Sequence, residues 1–155
     1  MRLTRSFIDM PLSIGHTVAL PESVSAHLTR VLRLGLGARI VLFNGDGNDY
    51  NAEISALGKK FAEAEVLSVS VVNTESPLQL VLAQAIARGE KMDFVLQKAT
   101  ELGVTGVIPL VTERTEVRLD AERGDKRRTH WRGVMASACE QSGRARLPAL
   151  GQVTT

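Results

Sequence analysis

Apolar positions along this chain change their spacing near residue 75, and the change divides it into two kinds of structure. Before that point they come in short stretches. Thr17 to Leu20, Arg39 to Phe43, Asp49 to Ile54 and Ala62 to Val72 are separated by turn residues and read as strands. Ala62, Ala64 and Val66 alternate with Glu63, Glu65 and Ser68, so one face of the last strand is apolar. The turn Asn44-Gly-Asp-Gly-Asn48 supplies glycines for the positive φ angles of a hairpin connection. One helix interrupts, with Ser25 as its expected cap and Leu28, Val31 and Leu32 as its apolar stripe. The sum predicts a small β-barrel-like domain carrying one helix.

Asn73-Thr-Glu-Ser-Pro77 breaks this pattern, because the residue before a proline cannot continue a central strand smoothly. We therefore expect one domain over residues 1–73 and a second over 77–155. Leu78 to Ile86 is a nearly continuous apolar run, the pattern of a strand buried on both faces of a parallel sheet. Met92, Val95, Leu96, Ala99 and Leu102 then recur at helical steps, with Lys98 and Glu101 on the polar side. Gly103 is placed to stop that helix, and Val107 to Val111 reads as a buried strand. A long helix from about Lys126 to Ser142 follows, and Gln152 to Thr155 could open a third strand. Strand, helix, strand, helix is a wound α/β unit. Two parallel strands cannot cover their own edges, so the 155 residues are expected to be part of a longer chain.

Composition narrows the function classes. The chain is 44% hydrophobic and 23% charged, as in a soluble globular protein. No segment approaches a membrane span and no leader is recognisable, so a cytoplasmic location is expected. Cys139 is the single cysteine; its neighbours Val134, Met135 and Ala138 point to a packed thiol. His16, His27 and His130 are scattered, which speaks against a metal site. Aromatics are one Trp, one Tyr and four Phe, so any nucleic-acid contact would rest on arginines more than on base stacking. Residues 1–76 carry seven basic and eight acidic side chains, residues 77–155 twelve and nine. The basic excess of the second part fits an anionic partner or an ordinary solvated face.

Four groups carry candidate chemistry. Arg2 and Arg5 precede a helix on which His27, Arg30 and Arg33 recur at three-residue steps, either a phosphate-binding ladder or a plain surface. Arg114, in Thr112-Glu-Arg-Thr-Glu116, follows a strand at its carboxyl end, where open α/β sheets bind ligands. Glu140, Gln141, Ser142, Arg144 and Arg146 gather at a helix end, as a site or as a salt-bridge cluster. Lys91, after Arg88-Gly-Glu, opens a helix beside the same crevice as Arg114. Dinucleotide and Walker glycine loops and the nucleophile elbow are absent.

At these residues the sequence resembles a known family. His27-Leu-Thr-Arg-Val-Leu-Arg-Leu34, the Asn44-Gly45 turn, Lys91 to Val104, Ile108-Pro-Leu110, Glu113-Arg-Thr115 and Glu140 to Pro148 look like the RsmE-type 16S ribosomal RNA uridine-N3 methyltransferases. The resemblance implies an α+β and α/β chain: a PUA-like RNA-binding β-barrel over 1–73, then part of a SPOUT-type methyltransferase domain over 77–155. It further implies S-adenosyl-L-methionine as cofactor, 16S rRNA of the small ribosomal subunit as substrate, and a homodimer. It makes Arg114 and Arg144 candidates for transition-state or RNA contacts, with Glu140 and Gln141 orienting them. Arg2, Arg5, His27, Arg30, Arg33 and Lys91 become candidates for RNA binding. The family's glycine-rich GPEGG loop and later LGxRILR segment have no counterpart here. The cofactor pocket is accordingly expected outside these residues, and the 155 residues alone are expected to be inactive. A stand-alone RNA-binding module without catalysis is the alternative.

Overall fold

Alternating residues can bury their apolar half only if neighbouring strands pair in register, and the first seventy residues do so. A computed structural model describes residues 3–58, 60–113, 115 and 121–155 of the chain. Its first compact unit, Met1–Asn73, holds β1 (Arg5–Phe7), β2 (Thr17–Ala19) and the helix α1 (Glu22–Ala26). A π-helical segment (His27–Val31) follows, then β3 (Arg39–Phe43), β4 (Asn48–Leu57) and β5 (Ala62–Val71). The strand order is β1-β3-β4-β5-β2. β1 runs parallel to β3, and the other pairs are antiparallel. Ile40 stands opposite Ala52, Leu42 opposite Tyr50, and Ile54 opposite Ala64, all of them buried. Leu28 from the π-helical segment closes this core with Ile8, Leu12 and Leu20.

Three local expectations change here. Among the described residues β1 and β2 end the strand order without pairing with each other, so the unit is an open mixed sheet rather than a closed barrel. Pro21 stands at the cap position of α1, where its fixed φ suits the start of a helix. Ser25 lies inside the helix instead. Its buried hydroxyl donates to Leu20 O at 3.1 Å and accepts from Ala62 N–H at 3.1 Å, tying helix to sheet. Finally, the helix widens from α to π, with Leu32 N–H bonded to the carbonyl of His27, five residues back.

The Asn44–Asn48 turn forms as its composition predicts. Gly45 and Gly47 have φ of 94° and 100°, and Asn44 and Asp46 side chains accept from the backbone two residues on. Tyr50 donates to Asp46 at 2.6 Å, and that hydrogen bond is the largest cause of its raised phenol pKa.

The second unit, Thr74–Thr155, holds β6 (Val81–Ala85), α2 (Glu90–Glu101), β7 (Gly106–Leu110), α3 (Ala121–Ser142) and β8 (Ala149–Leu150). Its sheet is parallel, in the order β6-β7-β8. Met92 and Leu96 of α2 and Trp131 and Met135 of α3 pack with Val107 on one side of it. Gly103, at φ 95°, ends α2. Among the described residues, both helices join the core on one face of the sheet, and Leu78 is 64% exposed and Val81 55%. The third strand begins earlier than residue 152, at Ala149, and Thr154 returns to β7 through a single bridge with Leu110.

Arg144 locks the end of this unit. Its guanidinium is 6% exposed and pairs with both carboxylate oxygens of Glu75, at 3.1 and 2.6 Å. Nη1 donates to Thr100 O at 2.8 Å and to Val104 O at 3.0 Å, carbonyls at and just beyond the α2 C-terminus. Arg144, a candidate for transition-state or RNA contacts, is thus enclosed within the fold as a member of an ion pair. Thr100 is itself fully buried, and among the described residues its Oγ1 has no hydrogen-bond partner.

Two stability outcomes follow. Arg144→Ala leaves Glu75 and the Val104 carbonyl without this donor, while Thr100 O keeps Gly103 N–H, and should destabilise the second unit by about 3 kcal/mol, the lower end for a broken buried pair because Glu75 keeps some water contact. Thr100→Val replaces the unpartnered hydroxyl by a methyl of similar shape and should stabilise by about 1 kcal/mol. Denaturant melts of both variants measure these changes; a neutral Arg144→Ala would show that the pair adds nothing.

Candidate functional site

Parallel strands joined by helices sort their loops into two sets, one at the carboxyl ends of the strands and one at the amino ends. In the second unit this sorting divides the candidate residues. Lys91 is exposed in the first turn of α2, shortly after the carboxyl end of β6. Thr112 follows the carboxyl end of β7 and is fixed by Thr115: its N–H donates to Thr115 Oγ1 at 2.8 Å, and the hydroxyls lie 3.0 Å apart. Arg114, between them in sequence, lies outside the described residues, as does Arg2.

Two further groups join this end, and sequence reasoning did not single them out. Arg128 on α3 donates to Leu150 O and Gly151 O, at 3.3 and 3.2 Å, where β8 ends. His130 of α3 meets Asp93 of α2 at 2.8 Å. A groove of about 710 Å³ runs beside that pair, lined by Gln97, Lys126, His130, Gly133, Ser137 and Gln141. Helical spacing puts Lys126, Gly133 and Ser137 on one stripe of α3, but only the packing of α2 shows that the stripe borders a groove.

Arg144 belongs to the opposite set. Its partner Val104 precedes β7, so the side chain sits at the amino ends of the strands. The expectation that it returns to the ligand crevice fails for a topological reason: a crossover helix that starts at a carboxyl end finishes at an amino end. Glu140, half-buried, and Gln141, exposed, are in the last turn of the same helix and do not converge with Lys91 or Thr112 in the described structure. Cys139 is buried and donates to Arg146 O at 3.6 Å, as a packed thiol would.

In the first unit the basic ladder is also rearranged. Arg5 is 9% exposed at its side chain, ion-paired with Asp49 and lying 4.9 Å from the centre of the Phe43 ring. It is a structural arginine of the sheet, and the expectation that it faces solvent beside the ladder is corrected. His27, Arg30 and Arg33 are exposed. A π turn holds more residues than an α turn, so three-residue steps do not stack on one face. Arg33 takes φ 53°, letting Leu34 N–H reach Leu28 O at 2.9 Å and turning the chain out of the helix. Among the described residues no group of three His, Cys, Asp or Glu side chains is placed to hold a metal, and no helix is long and apolar enough to cross a membrane.

Comparison with known proteins agrees with this architecture. Residues 74–155 match the model of the RNA methyltransferase domain, and residues 20–67 that of the PUA domain of RNA methyltransferases. Ribosomal RNA small subunit methyltransferase E of Buchnera aphidicola from Schizaphis graminum is 31% identical, over 96% of this chain and 61% of its own length. The Bacillus subtilis protein of the same name is 30% identical, over 82% of this chain and 50% of its own. The chain thus spans about half to three-fifths of these relatives. Among solved structures, ribosomal RNA small subunit methyltransferase E from Neisseria gonorrhoeae, bound to S-adenosyl methionine, superposes with a TM-score of 0.92 at 42% identity. That match covers 99% of this chain and 63% of the other. A Legionella pneumophila protein described as a methyltransferase, solved with bound SAM, gives 0.94 at 38% identity, covering 100% and 64%. The chain belongs to the family of RNA methyltransferases that includes the small subunit methyltransferases E.

Proposed function

We propose that the protein containing this chain transfers a methyl group from S-adenosyl-L-methionine to N3 of a uridine in 16S rRNA of the small ribosomal subunit. The observation that carries the reading is the match of 74–155 to an RNA methyltransferase domain, on a parallel sheet with polar groups at its carboxyl ends. A homodimer acting in the cytoplasm belongs to the same reading, as do the RNA-binding role of residues 1–73 and the catalytic role of 77–155.

We assign the cofactor pocket to parts of the protein outside these residues, because the glycine-rich GPEGG loop of the resembled family has no counterpart here. The cofactor supplies an electrophilic methyl; this chain's residues would hold the uridine. N3 of uridine is weakly acidic, and its proton must leave as the N–C bond forms, so negative charge grows towards O2 and O4. A guanidinium there stabilises that charge. Arg114 is our candidate by its position after β7, with the Thr112–Thr115 bonds holding its loop. Lys91 would contact RNA phosphate at the same end, and Gln141, with Glu140, is retained as an RNA-facing group of α3. In the first unit exposed His27, Arg30 and Arg33 would contact phosphates separately rather than as one ladder.

Three outcomes test this reading. Full-length protein incubated with 30S subunits and labelled cofactor should yield N3-methyluridine after nucleoside digestion; label on another base would refute the chemistry, and binding without transfer would favour an RNA-binding module. Arg114→Ala should slow transfer by about 10²-fold, typical of a lost electrostatic stabiliser, with unchanged melting. Arg30→Ala with Arg33→Ala should weaken RNA binding and flatten its dependence on log salt by about one unit per lost phosphate contact; an unchanged slope would return both to the solvated surface.

A further inference from the structure

β8 is short, with Gly106 opposite Ala149 and Val107 opposite Leu150, and backbone bonds from Gly151 N–H to Val107 O and Thr154 N–H to Pro109 O continue its pairing with β7. Two arginines brace its ends in addition. Downstream, Arg128 bonds the carbonyls of Leu150 and Gly151. Upstream, Arg144 binds three separate parts of the fold: Glu75 at the start of the second unit, Thr100 in α2, and Val104 before β7. Five residues later the chain enters β8, where Ala149 N–H bonds Thr105 O at 3.0 Å.

Glu75 is in a stretch without helix or strand, so secondary structure does not account for its contact with a residue 69 positions away. The pairing is two-pronged, and two-pronged contacts with a planar guanidinium fix direction as well as distance. We infer that Glu75 is a positioning residue: acting through Arg144, it aims the α3–β8 connection and thereby braces β8 and sets the direction in which the chain leaves the sheet. The two carbonyls and the negative end of the α2 dipole hold the arginine's charge in place. The carboxylate supplies orientation. Loss of Glu75's charge alone should therefore loosen β8 without unfolding the unit, unlike loss of Arg144. The inference stands independently of the methyl-transfer reading.

Amide hydrogen exchange on the full-length protein decides it, with Glu75→Gln, Glu75→Asp and Arg144→Lys compared with the unaltered chain. Glu75→Gln should speed exchange at Ala149 and Gly151 by about tenfold, the scale of a local opening, while amides of β6 and β7 pairing elsewhere and of the first unit stay within about twofold. Arg144→Lys, which keeps the charge but lacks the fork, should reproduce the β8 effect. Glu75→Asp, which retains the carboxylate, should restore part of the protection. Unchanged exchange at Ala149 and Gly151 in Glu75→Gln overturns the inference. So does an equal rise throughout the second unit, which would make Glu75 a general stabiliser.

Discussion

A parallel sheet depends on what is packed against it, because its strands are joined by crossovers and cannot be closed by hairpins. In the second unit this dependence is acute. Among the described residues β6 and β8 each pair with β7 alone, and β8 is two residues long. Two kinds of contact compensate. Met92, Leu96, Trp131 and Met135 bury one face, while Arg128 and Arg144 use the carbonyls that strand and helix ends leave over. Apolar burial holds the layers together, but it is non-directional. Register comes from backbone pairing with β7, and the arginines brace the ends of the elements.

The same side-chain type does three different jobs in this chain, and burial separates them. Arg5 and Arg144 are enclosed and paired with carboxylates. Arg128 is half-buried and bonds backbone. Arg30 and Arg33 face water, where a phosphate can reach them. A basic excess in the composition therefore overstates the charge available to a nucleic acid. The widening of the helix at His27–Val31 redistributes the rest, since residues three apart no longer share a face.

What could be read from the sequence was local. β3, the turn after it, α2 and its glycine stop all follow from patterns within about a dozen residues, and they lie within two residues of where the patterns put them. The family, too, was legible, in the blocks around Lys91–Val104 and Glu140–Pro148. The misreadings concern partners far away in sequence. Arg5 finds Asp49 and Arg144 finds Glu75, separations of 44 and 69 residues for which no periodicity gives a signal. The π-helical segment has no marker that a single sequence reveals, and its effect on the basic ladder could only be seen in the backbone.

The Glu75–Arg144 pair also constrains the order in which the molecule can be made. Glu75 leaves the ribosome with β6 still to come, and its partner follows only after α2, β7 and α3 have been synthesised. Until then a carboxylate and the end carbonyls of α2 must stay hydrated. Closing so long a loop costs chain entropy that local contacts do not repay, so the pair forms late, after both helices have docked on the sheet. A ribosome pausing before Arg144 would therefore hold the second unit in a form that lacks its lock.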